Sequence, residues 1–193
     1  DLYTRGHTER VAEFSLAIGR ELGFSEGQLA RMRFAALIHD VGKLAVPTAI
    51  MRKQGALTDD EYREMRISTH KVDDLLSEVD FLAPMVVICS GVHPKLTDED
   101  FGQKGHVHSE EATREQSVLA VADAFDAMTS TRSYRMAMSQ SVALQRLDTS
   151  NDPLFHREVV EALAIALSRM PGSYGPPEIS HNLGAPPGEV LHA

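Results

Sequence analysis

Apolar residues recur at intervals of three and four along most of the chain, and this spacing constrains the fold more than any other feature. Val11, Phe14, Ile18 and Leu22 form one such series, and Leu29, Met32 and Ala36 another. Side chains spaced this way share one face of an α-helix, whereas a half-buried strand requires alternation at period two, which no stretch supplies convincingly. The expected fold class is therefore all-α. Ser25 with Gln28 and Thr58 with Glu61 have the spacing of capping boxes, in which side chains three residues apart satisfy each other's backbone N–H groups. Asp152 before Pro153 reads as a cap followed by proline at the first helical position, and Gly23 and Gly42 stand where helices should stop. Helices are predicted over residues 8–22, 27–39, 59–76, 82–89, 115–128, 140–147 and 153–168. Residues 91–111 read as a long loop of the kind that carries function. A single domain is expected over residues 1–170, followed by a Pro/Gly-rich tail over 171–193.

The chain has 193 residues, 42% of them hydrophobic, which suffices for one substantial core. A formal charge of -9 argues against a DNA or RNA polymer as partner. No apolar run approaches the roughly 20 residues that cross a bilayer, so no membrane segment is expected in this chain. The lone Cys89 cannot form an internal disulfide, which fits a buried thiol and the reducing cytoplasm. The chain opens at Asp1 rather than methionine, and an upstream sensor or receiver domain is expected.

Within the helical pattern, Ala35 to Lys43 reads Ala-Ala-Leu-Ile-His-Asp-Val-Gly-Lys and places His39 and Asp40 at the end of an apolar run. Burying an ionised carboxylate is costly without a counter-ion or metal. The apolar stretch from Val121 to Met128 repeats the problem with Asp123 and Asp126, three apart and on one helix face. Ligand-type residues at helix ends or in apolar stretches, namely His7, His39 with Asp40, His70, His93 and Asp123, suit a metal site built from several helices of a bundle. Plainer roles are open to each: a single histidine can be an ordinary hydrogen-bonded residue, Asp126 can pair with Arg132 or Arg135, and Lys43 can complement a helix C-terminus. His106, His108, His156, His181 and His192 are expected to face solvent.

Taken together, the order His, His-Asp, His, His, Asp resembles the HD phosphohydrolase superfamily, and more closely its HD-GYP branch. The residues that carry the resemblance are Thr4 to Val11 around His7, then His39 to Lys43 with Val46 and Pro47, Lys53 with Leu57 and Thr58, and Val121 to Ser130 with Arg132 to Arg135. It covers residue 1 to about residue 160. The resemblance implies a helical bundle around a binuclear metal site, with His7, His39, Asp40 and Asp123 on one ion and Asp40, His70 and His93 on the other. It further implies iron or manganese as the two divalent ions, and hydrolysis of cyclic di-GMP or a related nucleotide. Lys43 and Asp40 would be catalytic, with Arg132, Arg135, Asp126 and Asp1 on the substrate; a homodimer is the expected assembly.

Two features set this chain apart from that branch. The family's loop opens with two histidines and continues to Gly-Tyr-Pro, but here Pro94 follows His93 and residues 96–115 contain no tyrosine. Tyr3 occupies the place of a glutamate that holds a third metal in some members, so a two-metal centre is expected. The same departures admit a domain that binds nucleotide without cleaving it and signals by protein contact, or a phosphohydrolase for another nucleotide.

Overall fold

The computed structural model describes residues 2–53, 55–90, 92, 113–131, 136–170 and 174–175, with backbone alone for residues 2–5. Its elements are α1 (Leu2–Glu21), α2 (Glu26–Ile38), a 3-10 turn (Val41–Ala45), α3 (Thr48–Met51), α4 (Asp59–Ser77), α5 (Ala83–Cys89), α6 (Arg114–Thr129), α7 (Gln140–Asp148) and α8 (Arg157–Arg169). No strand occurs among the described residues, and the fold is all-α as the periodicity requires.

α1 packs against α2, α6 and α8, and α5 closes the opposite side against α2, α4 and α6. The series read from α1 becomes the core itself: Phe14 and Ile18 are fully buried with Met32 of α2, Leu119 and Phe125 of α6 and Leu163 of α8. Each such side chain contributes about 1.5–3 kcal/mol by leaving water. Phe14 meets Phe125 edge to face at 5.1 Å. Tyr174, which composition assigned to the tail, packs on Phe14 at 4.8 Å and so belongs to the core's rim.

Both expected capping boxes form, at Ser25 with Gln28 and at Thr58 with Glu61. A third, Thr113 with Gln116, opens α6. Gly23 has φ +74, the left-handed conformation that ends α1 at little steric cost to glycine.

Three expectations about helix ends are corrected. α1 begins at Leu2, six residues before the expected Thr8, and so includes His7. α8 begins at Arg157, not Pro153, because the Asp152 carboxylate accepts from the Leu154 N–H and folds 152–155 into a turn. His156 is accordingly half-buried at the N-cap, its N–H donating to Ser117 Oγ at 3.1 Å, instead of facing solvent. Gly42 is not a left-handed terminator either: it lies within the 3-10 turn. A Cβ there would come 2.7 Å from Thr69 Cγ2 and 3.1 Å from the Thr69 carbonyl oxygen, so glycine is required by the close approach of the turn to α4.

Candidate metal centre

Because α1 packs on both α2 and α6, a polar residue on its inward face meets polar residues at matching levels on the other two. His7 of α1, His39 at the C-cap of α2 and Asp123 of α6 meet in this way, with one ligand atom of each within 4.8 Å of the others. His7 Nε2 lies 3.3 Å from Asp123 Oδ1 and 3.9 Å from Asp40 Oδ2. His39 Nε2 lies 3.4 Å from Asp40 Oδ1, and the two imidazole rings meet edge to face. The four residues His7, His39, Asp40 and Asp123 thus converge from three parts of the chain.

The outer nitrogens of both histidines decide how the inner ones can act. His39 Nδ1 is 2.7 Å from the Ala36 carbonyl oxygen, which can only accept, so Nδ1 bears the proton and donates. His7 Nδ1 is 2.7 Å from Asp126 Oδ2 and donates to that carboxylate. In the neutral tautomers both Nε2 atoms then hold lone pairs turned toward the carboxylates, the arrangement in which histidine binds a metal.

The electrostatics call for positive charge at this point. Burial would lower the His7 pKa, but hydrogen bonds to Asp123 and Asp126 and their charge outweigh it and raise the value to about 9. Burial would likewise raise both carboxylates, yet His7 with nearby His39 and Lys43 holds Asp123 below the usual range, and His7 with Arg10 does the same for Asp126. A proton on His7 or a divalent ion among the oxygens and Nε2 atoms answers the same need, and the mixed imidazole and carboxylate donors suit such an ion.

His70 is buried on α4, immediately after the Thr69 that Gly42 touches, so the turn carrying Asp40 runs close beside it. Its Nδ1 is 3.9 Å from Oδ2 of Asp73, itself buried. Lys43 is half-exposed and its ammonium lies 2.5 Å from Asp40 Oδ1. His93, Arg132, Arg135 and Asp1 lie outside the described residues, as does nearly all of the loop over 91–111.

Asp126, expected against substrate or in a pair with Arg132 or Arg135, meets other partners among the described residues. It is 1% exposed, and its oxygens accept from His7, Arg10 and Ser130. Arg10 belongs to the Thr4 to Val11 motif without a role of its own there, and Asp73 belongs to none. Each stands three residues after a candidate histidine and shares its helix face, a signal that becomes informative only once the helix is known to point inward.

Residues 3–159 match the family model described as the HD domain. The chain is 34% identical to a 3'3'-cGAMP-specific phosphodiesterase of Vibrio cholerae over 89% of its own length and 37% of the relative's. It is 33% identical to a cyclic di-GMP phosphodiesterase of Thermotoga maritima, covering 84% of this chain and 44% of that protein. Among solved structures, a cyclic GMP-AMP specific phosphodiesterase of Vibrio cholerae aligns with a TM-score of 0.51 and 32% identity, over 89% of this chain and 38% of the other. The chain therefore spans less than half the length of these relatives.

Proposed function

The chain belongs to the HD-domain family, and from that premise we propose that it is a metal-dependent phosphodiesterase acting on cyclic dinucleotides, with cyclic di-GMP as substrate and linear pGpG or GMP as product. The observation that carries this reading is the convergence of His7, His39, Asp40 and Asp123 with both imidazoles turned inward. In the proposal these four hold one ion, while Asp40, His70 and His93 hold a second. Iron or manganese fits that donor set.

Two divalent ions in such a site would supply Lewis acidity and would lower the pKa of bound water toward neutrality. The protein's own residues do the rest. Asp40 accepts from the Lys43 ammonium and so fixes it at the edge of the centre. From there Lys43 is placed to neutralise charge developing on a phosphoryl oxygen and to donate a proton to the departing ribose oxygen. The guanidinium forks of Arg132 and Arg135 are assigned to the non-reacting phosphate, which they match in shape. Asp1 is assigned to the nucleotide; Asp126 is not, for the reason given above. His7 and His39, with Nδ1 committed to Asp126 and Ala36, keep Nε2 directed inward throughout.

A second reading rests on Pro94 and on the absence of tyrosine over 96–115, which remove family features from the substrate loop. Under it the domain binds nucleotide without turnover. The test is to supply purified protein with Mn²⁺, or anaerobically with Fe²⁺, and to resolve products from cyclic di-GMP, 3'3'-cGAMP and linear pGpG by chromatography. The proposal expects linear product from a cyclic dinucleotide. Saturable binding with no product would replace it by the receptor reading, and product from other phosphate esters alone would move the substrate elsewhere.

A further inference from the structure

We propose that Arg10, Asp126 and Ser130 form a clamp that fixes the tautomer and orientation of His7, making Arg10 and Asp126 positioning residues for metal capture. The inference rests on reading His7 as a metal ligand, and goes beyond it to residues that touch no ion themselves.

The clamp joins two helices at the level of the centre. His7 and Arg10 lie three apart on α1, and Asp126 and Ser130 four apart on α6, so each pair shares a face. Asp126 Oδ2 accepts from His7 Nδ1 at 2.7 Å and from Arg10 Nη2 at 3.0 Å. Oδ1 accepts from Arg10 Nε and from Ser130 Oγ, the latter at 3.3 Å, and Arg10 Nη2 also donates to Ser130 Oγ at 3.1 Å. Four donors on one almost wholly buried carboxylate leave it a single orientation.

Four consequences follow from the donor and acceptor chemistry. An ionised carboxylate only accepts, so His7 keeps a proton on Nδ1, and it is the Nε2 proton that leaves to turn a lone pair toward the centre. The Arg10 fork engages both oxygens at once, so the carboxylate cannot rotate away from His7. An amide at position 126 cannot replace it, because its NH₂ group would face either Arg10 or His7. In the second case Nδ1 becomes the acceptor and the proton moves to Nε2, where it blocks coordination. Lysine at position 10 keeps the charge but not the fork, so it should restore function in part.

The test compares wild type with Asp126→Asn, Arg10→Ala and Arg10→Lys by titrating each with Co²⁺ and following both the affinity and the visible absorption of the bound ion. Asp126→Asn and Arg10→Ala should lose about 10–100-fold in affinity, the usual range for partners behind a ligand histidine. Their absorption should also change, and Arg10→Lys should fall between them and wild type. Independently of any variant, NMR of Zn²⁺-loaded wild type should show the His7 Nδ1 proton shifted downfield and protected from solvent exchange by its bond to the buried Asp126 carboxylate, which keeps the proposal testable if the substitutions prevent folding. Co²⁺ affinity and absorption unchanged in Asp126→Asn, or a His7 Nδ1 proton that exchanges freely with solvent, would overturn the clamp while leaving the metal centre in place. A folded wild type that takes up neither ion would overturn the reading of His7 as a ligand, and the clamp with it.

Discussion

Gly42 shows how much can depend on the absence of one methyl group. Its contact with Thr69 draws the turn bearing Asp40 and Lys43 against α4, next to His70. Gly42→Ala would force the turn and α4 apart, with a cost of about 1–3 kcal/mol typical of overpacking a close contact. The expected outcome is a lower melting temperature together with loss of metal stoichiometry, read by elemental analysis. At Cys89 the thiol is 2% exposed, its Sγ donates to the Ala35 carbonyl oxygen at 3.4 Å, and burial, with Asp73 and Asp40 adding, pushes its pKa up to about 12. Native protein should therefore resist thiol reagents at pH 8 and react on unfolding, as absorbance with a disulfide reagent would show. An unfolded thiol ionises near its ordinary value of 9.0, so the native state binds the proton more tightly. That contribution is fully present below pH 9 and is lost as pH rises toward 12. At this scale the sequence exposes residue types better than partnerships. His39, Asp40 and Asp123 stand out because ionisable groups in apolar runs demand an explanation. Asp126 stands out for the same reason, yet its cation is Arg10, 116 positions away, and separation in sequence conceals which arginine a fold will bring near.

Helices carry their punctuation in residues that act locally, and these are the legible part of the fold. Ser25 and Thr58 form the capping boxes that their spacing predicts, because every participating atom lies within one turn. Thr113→Ala should remove the equivalent box from α6 and cost about 1 kcal/mol, measured as a shift in the denaturation midpoint by circular dichroism. Where a local rule competes with another, the reading fails. Asp152 is as good a turn former as it is a cap, and the N–H of Leu154 captures its carboxylate, which delays α8 to Arg157. The 3-10 turn over Val41–Ala45 and the single-turn α3 are too short for periodicity to register. That turn is the element that carries Lys43 and, at its N-cap, Asp40, so the part of the centre hardest to foresee is its backbone path.

Over the whole molecule, the same helix packing that builds the core also assembles the centre. Phe14 seals α1 against Phe125 of α6, seven residues along from His7 and two from Asp123, so the core contact holds the ligand-bearing faces in register. Phe14→Ala should cost about 3–5 kcal/mol by opening a buried cavity, seen as a lower denaturant midpoint. Among the described residues no helix is long and apolar enough to cross a membrane, in keeping with the charge and composition. The bundle was legible because periodicity reports which face is buried; the convergence of α1, α2 and α6 was legible only through the family resemblance, since no local signal encodes it. Asp40 is the residue on which the functional account turns, being assigned to both ions and to Lys43. The most direct test is therefore the hydrolysis of cyclic di-GMP by Asp40→Ala beside wild type, with bound metal measured on the same samples. The account predicts metal and linear product for wild type, and neither for the variant; an Asp40→Ala protein that holds no metal and still hydrolyses the substrate at the wild-type rate would contradict it.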